Sequence, residues 1–179
     1  MKKIILTVFA ASSLLLSSTQ AVALINFSVG VPLSHTITGK YSDGTEIKSE
    51  GVSGTFIQVG VPMLPGIGMD SYKTKIESDD PFELETMIYN LYYLLPIPII
   101  NLTLGVGTGS TTFKCSGCDA YFDKGSASQW YASFGMPIIP LFDLHLSYRS
   151  VSSKIKTKSG SIEHDLSGNI MGLGIGFNF

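Results

Sequence analysis

The segment MGLGIGFNF sets Met171, Leu173, Ile175, Phe177 and Phe179 against Gly172, Gly174, Gly176 and Asn178. A period of two specifies a β-strand, because successive side chains leave opposite faces of the backbone. The same alternation recurs along the chain. LINFSVGVPL sets Ile25, Phe27, Val29, Val31 and Leu33 on one face, and TFIQVGVPM sets Ile57, Val59, Val61 and Met63. IINLTLGVGTG sets Ile100, Leu102, Leu104 and Val106. QWYASFGMPI sets Trp130, Ala132, Phe134, Met136 and Ile138, and FDLHLSYR sets Phe142, Leu144, Leu146 and Tyr148. A chain with this pattern must build a sheet in which every strand has one greasy face.

Two further strands are less regular. GIGMDSYKTKI begins with Ile67 and Met69 on the apolar face, and strict alternation then carries Lys73 onto it. A β-bulge near Ser71 is expected, which would move Tyr72, Thr74 and Ile76 to the apolar face and turn Lys73 and Lys75 away. TMIYNLYYLL is apolar on both sides, and Met87, Tyr89, Leu91 and Tyr93 are taken as its apolar set because the other choice carries Asn90. Short proline-bearing connections (Pro62 and Pro65, Pro96 and Pro98, Pro137 and Pro140) alternate with longer polar ones near 34–51, 77–83, 113–126 and 158–164. Proline cannot donate to a ladder and belongs where strands end. Eight strands joined in this way leave both ends of the sheet on the short-turn side.

The second face of each strand decides the fold class. In a soluble sheet it meets water and carries Lys, Glu, Arg and Asp. Here it carries Gly, Ser, Asn, Thr and Gln, charged residues are only 15% of the chain, and most of them fall in the loops. Small residues suit the crowded interior of a narrow barrel. The aliphatic and aromatic face then points outward, as a belt much larger than water tolerates. Nine or ten residues tilted by about 40–45° rise roughly 23–25 Å, the height of an outer-membrane apolar band. Trp130, Tyr148, Tyr89 and Tyr93 are placed for interfacial girdles. The expected fold is therefore all-β: one eight-stranded antiparallel transmembrane β-barrel with up-and-down meander topology, closed because hydrocarbon permits no open edge.

The N-terminal stretch reads as an export signal: Lys2 and Lys3, an apolar run too short to span a bilayer, then small residues at Ala21 and Ala23. Residues 1–23 are assigned to that signal and 24–179 to the barrel domain. A net charge of −2, with no basic run interleaved with aromatics, excludes a nucleic-acid partner.

An export signal, eight alternating segments and a closing GLGIGFNF together resemble the small bacterial outer-membrane barrels, typified by the transmembrane domain of outer-membrane protein A and its OmpX and OmpW relatives. The resemblance spans the barrel in architecture and is specific at the last strand. It implies location in the bacterial outer membrane, contact with its lipid and lipopolysaccharide, and a monomer. It also implies recognition of Phe179, Phe177, Ile175, Leu173 and Met171 by the barrel-assembly machinery.

Several constellations bear on chemistry. Cys115 and Cys118, in a long loop of an exported protein, read as a disulfide. They are half of a zinc set that His35 and His164 would complete, but the loops bearing those residues are expected to be far apart, so no metal site is assigned. His145 and Ser147 share a face, in the spacing of some outer-membrane lipid A deacylases. His145 belongs near the short-turn rim, however, and Glu163 at the opposite end, out of reach of a shared proton. Asp70, Lys73, Lys75, Asp143, His145 and Arg149 are the expected lumenal charges, which must pair to be tolerated. Lys154, Lys156 and Lys158 are placed to contact lipopolysaccharide phosphates. The functional expectation is a non-enzymatic barrel with a structural or surface-interaction role, a filled lumen and no cofactor. The alternatives are a narrow channel or carrier for small apolar molecules, as OmpW-type barrels are thought to be, and, more remotely, a lipid A-modifying enzyme.

Overall fold

The computed structural model describes residues 25–41, 44–61, 64–78, 82–97, 100–139, 142–159 and 162–178. The export-signal assignment, Pro62, Pro98, Pro140 and Phe179 lie outside the described residues. The strands are β1 (Asn26–Ile37), β2 (Ser49–Gly60), β3 (Gly66–Ile76), β4 (Phe82–Ile97), β5 (Ile100–Lys114), β6 (Gly125–Ile139), β7 (Phe142–Lys156), β8 (Glu163–Asp165) and β9 (Gly168–Asn178). A one-turn helix, α1 (Cys118–Tyr121), sits in the β5–β6 loop.

Each long strand pairs antiparallel with its neighbour in the chain, and β1 pairs with β9 from Asn26↔Asn178 to Ile37↔Gly168, which closes the ring. The result is a closed eight-strand barrel of meander order. The three-residue β8 is a supplement: β7 pairs with β9 over Phe142–Val151 and with β8 over Lys154–Lys156. Glycine permits the tight seam. A Cβ at Gly30 would lie 2.9 Å from the Leu173 carbonyl oxygen, and one at Gly174 would lie 2.8 Å from that of Val29.

The outward face changes character along every strand. On β7 it runs Phe142, Leu144, Leu146, Tyr148, then Ser150 and Ser152, then Lys154 and Lys156. On β5 it runs from Ile100 and Leu104 through Val106 to Thr108 and Lys114. The exposed apolar belt thus covers the short-turn half of the barrel, and Trp130 and Tyr148 pack against each other on it, tilted, at 5.9 Å between ring centroids. The inward face changes in the opposite sense. Beside the belt it is polar (Asn26, Gln58, Asp70, Asn90, Gln129, Asp143, Arg149), whereas at the loop end Ile37, Ile76, Leu84, Phe113, Ile155 and Leu166 form a buried apolar cluster.

This inversion has a simple physical cause. Beside lipid, apolar groups face out and polar groups must pair inside. Above the lipid the wall stands in water and behaves as a soluble barrel, with apolar groups inside. It also corrects the reading of β3. No bulge occurs near Ser71: Asp70, Tyr72, Thr74 and Ile76 all point inward, while Lys73 and Lys75 point outward, opposite Glu85 and Glu83 of β4. The two lysines are not lumenal. They stand above the belt, where water makes an outward ammonium the cheaper choice. A register shift does occur in β1, between Pro32 and Ser34. It leaves both Leu33 and Ser34 outward and turns His35 and Ile37 into the barrel. Proline, which has no N–H for the ladder, is a natural site for it.

Candidate functional site

Two regions collect functional side chains: the middle of the lumen and the loop-bearing mouth. In the lumen, Arg149 of β7 and Asp70 of β3 are 2% and 0% exposed, and Arg149 Nε donates to Asp70 Oδ2 at 3.0 Å. The same carboxylate oxygen accepts from Gln129 Nε2 at 2.5 Å, and Gln129 also donates to Asn90 Oδ1 at 2.7 Å. The Arg149 guanidinium lies 3.6 Å from the Phe56 ring centroid and 4.8 Å from that of Tyr131. Its Nη1 donates to Ser147 Oγ. Tyr131 in turn accepts from Gln58 Nε2 at 2.7 Å. A buried guanidinium is tolerable here because one carboxylate neutralises it while two ring faces satisfy its flat sides.

A second polar tier lies nearer the short turns. Asp143 Oδ2 accepts from Asn178 Nδ2 at 2.6 Å and from Asn101 Nδ2, and Asn178 Oδ1 accepts from Asn26 Nδ2 at 2.6 Å. This chain of amides links β5, β7, β9 and β1 across the closing seam. His145 Nε2 stands 3.9 Å from Asp143, and its Nδ1 is 3.5 Å from Ser133 Oγ. His145 and Ser147 therefore have different partners, and Glu163 is committed at the other end of β7.

Of the expected lumenal charges, the structure brings Asp70 and Arg149 together in one tier and Asp143 and His145 in another; Lys73 and Lys75 stand outside. The neutral partners Gln58, Asn90, Asn101, Gln129, Tyr131 and Asn178 escaped the charge-based reading. Their signal was available, since all of them sit on the inward side of alternating strands. Met171, Leu173 and Ile175 face outward and are exposed on β9, with Phe177 half-buried between Phe27 and Phe142.

At the loop end, Cys115 and Cys118 are joined in a disulfide with a Cα–Cα distance of 5.2 Å. His35 is buried in the barrel below the rim, where Nδ1 lies 2.7 Å from Thr74 Oγ1 and the ring meets Tyr72 edge-on. His164, by contrast, shares a pocket with the two cysteines. No group of three or more His, Cys, Asp or Glu residues fit to hold a metal ion occurs among the described residues.

The expectation that the β5–β6 loop stays remote from the last loop is corrected. These loops spring from neighbouring strand pairs, and backbone bonds join them: Asp123 N–H to Lys156 O and Lys158 N–H to Tyr121 O, each at 2.9 Å. Lys158 Nζ also reaches the Asp119 carbonyl oxygen at 2.6 Å. Lys154 and Lys156 lie 2.7 and 3.8 Å from the Glu163 carboxylate. The hydrogen bond from Lys154, followed by its charge, holds the Glu163 carboxyl below the ordinary carboxylate range.

The pocket itself is a cavity of about 450 Å³ lined by Tyr41, Ser78, Phe82, Phe113, Cys115, Cys118, Phe122 and His164. Every long loop contributes. Its rings contact one another in series: Phe82–Phe113 at 5.6 Å, Phe113–Phe122 at 4.8 Å, Phe122–His164 at 5.9 Å and His164–Tyr41 at 6.5 Å between centroids. Beneath them lies the buried cluster of Ile37, Ile76, Leu84 and Ile155.

No protein-family profile matches the chain, and no curated protein matches it in sequence. Solved structures do match in fold. Neisserial surface protein A superposes with a TM-score of 0.60 at 14% identity, covering 87% of this chain and 96% of that one. The outer membrane protein OprG from Pseudomonas aeruginosa gives 0.52 at 12% identity, covering 89% and 98%. Outer membrane protein W of E. coli gives 0.51 at 12%, covering 85% and 97%. The chain has the fold of the small bacterial outer-membrane barrels.

Proposed function

We propose that this small outer-membrane barrel works as a surface-recognition protein whose lumen is closed to solute flow. The belt anchors the short-turn half in the bilayer, and the soluble-type upper half carries the loops clear of it. The observation that supports it is the buried Asp70–Arg149 pair, which reaches from β3 to β7 and is flanked by Phe56, Gln129 and Tyr131. An eight-strand barrel has room for side chains and little else. With the lumen filled, specificity falls to the loops, as it does on rigid scaffolds generally.

The reading is of a binding protein rather than an enzyme. Ser147 Oγ is bonded to the Arg149 guanidinium, which cannot act as a base, and Nδ1 of the neighbouring His145 lies against Ser133 instead. The pocket at the mouth favours the carrier alternative only as far as capture. Its floor is apolar and packed, and the charged tier lies beneath.

Planar-bilayer recording tests the reading. The purified barrel is expected to give no steps of unitary conductance, whereas Arg149→Ala with Phe56→Ala, which empties the middle tier, should give them. Ohmic steps from the unaltered protein would overturn the closed-lumen reading.

A further inference from the structure

We propose that the loop-end pocket is a binding site for an uncharged compound of two or three fused or linked rings, and that the Cys115–Cys118 disulfide braces its wall. The inference rests on the surface-recognition reading above and names the class of molecule recognised.

Size comes first. A dry apolar cavity of about 150 Å³ accepts one benzene. The pocket measures about 450 Å³, within the range of small-molecule sites and sufficient for two or three rings. Charge comes second: no Asp, Glu, Lys or Arg side chain lines it among the described residues, so the described wall offers a ligand apolar contact rather than an ion pair. Shape of the lining comes third. The four ring contacts of the arc are all tilted or edge-on, with interplanar angles of 69°, 58°, 65° and 79°. A ring inserted among them gains further edge-to-face contacts, which an acyl chain cannot make. Polar groups in the lining are few: the Ser78 and Tyr41 hydroxyls and the His164 ring.

The disulfide belongs to this site by position. Cys118 is buried in the apolar floor cluster, and Cys115 is exposed on the rim. The bridge spans only three positions in sequence, so it removes little loop-closure entropy and does little for the barrel as a whole. Its effect is local. Between the cysteines the chain turns through Gly117 at φ 87°, and just beyond Cys118 it delivers Phe122 into the arc. Without the bridge, Phe122 keeps its backbone bond to the Cys118 carbonyl oxygen, its bridge to Thr157 and its ring neighbours, but the turn that carries it loses its covalent tie to the end of β5.

The test is an amide NMR titration of the full barrel in phosphatidylcholine nanodiscs with 1-naphthol. Heat-modifiability on a gel confirms that each variant remains folded. Saturable shifts are expected at Tyr41, Phe113, Phe122 and His164. Phe82→Leu keeps an apolar side chain but removes a ring, and should weaken naphthol about tenfold while leaving n-decanol unaffected. Cys115→Ser combined with Cys118→Ser should also weaken it about tenfold. Shifts confined to belt residues such as Leu144, or tighter binding of n-decanol than of naphthol, would overturn the ligand assignment. An unchanged affinity in the folded double-serine variant would overturn the bracing role. Conductance of the unaltered protein is scored separately, so failure of the closed-lumen reading is distinguishable from failure of this one.

Discussion

Asp70 and Arg149 stand on opposite walls, four strands apart around an eight-strand ring, and their side chains meet at 3.0 Å inside the barrel. Both are buried. Two charges that span a diameter cross-brace β3 against β7, two strands that no backbone ladder connects.

Removing one member strands the other. Asp70→Leu or Arg149→Met alone should therefore cost about 3–5 kcal/mol of unfolding free energy, while the double variant Asp70→Leu with Arg149→Met should recover most of it. Urea unfolding of the refolded barrel in lipid vesicles measures this cycle. Additive losses in the double variant would mean that the two charges are not coupled.

The bare face of β9 is a packing requirement. A Cβ at Gly176 would collide with the His145 imidazole, and one at Gly172 would fall 2.6 Å from Phe56 Cε2. Gly176→Val should lower folding yield strongly, and His145→Ala in the same chain should restore it by vacating the space. Gel-shift assays of refolding report the yield. Equal yields for Gly176→Val with and without His145→Ala would show that something other than this collision matters.

Strand positions and the lipid-facing belt were legible because both follow from period and residue type, which a sequence displays directly. Height was not. Lys73 looks misplaced only if the belt is assumed to run the whole strand; once β3 rises above the lipid, Lys73 opposite Glu85 is an ordinary solvent-facing pair and no bulge is required. The register shift at Pro32–Ser34 left no mark in the alternation of Ile25 through Leu33 because it begins where that run ends. The mouth pocket was illegible for a different reason. Tyr41, Phe82, Phe122 and His164 come from four different strand connections or their edges, and only the closure of the barrel brings them together.

The inversion of faces gives a labelling prediction. In intact cells, a membrane-impermeant maleimide should modify Lys73→Cys and Lys75→Cys readily, and Ile76→Cys and Leu84→Cys hardly at all, since the latter pair lines the buried upper core. Modification of Ile76→Cys at the rate of Lys75→Cys would place that face in water.

Glu163 connects the last loop to β7 through Lys154, and its carboxyl is held below the ordinary range first by the hydrogen bond and then by the charge of that lysine. A carboxyl depressed in the folded state adds stability that is present above its ordinary value, and that contribution is lost as pH falls through the lowered one. Both groups are exposed, so the effect is confined to the loop and screened by salt. Carbon-detected NMR titration of the Glu163 carboxyl should show its midpoint rising toward the ordinary range in Lys154→Ala. Lys156→Ala should move it less, because that ammonium stands farther off, at 3.8 Å. Equal shifts in the two variants would assign the depression to the general positive charge of this rim rather than to the Lys154–Glu163 contact.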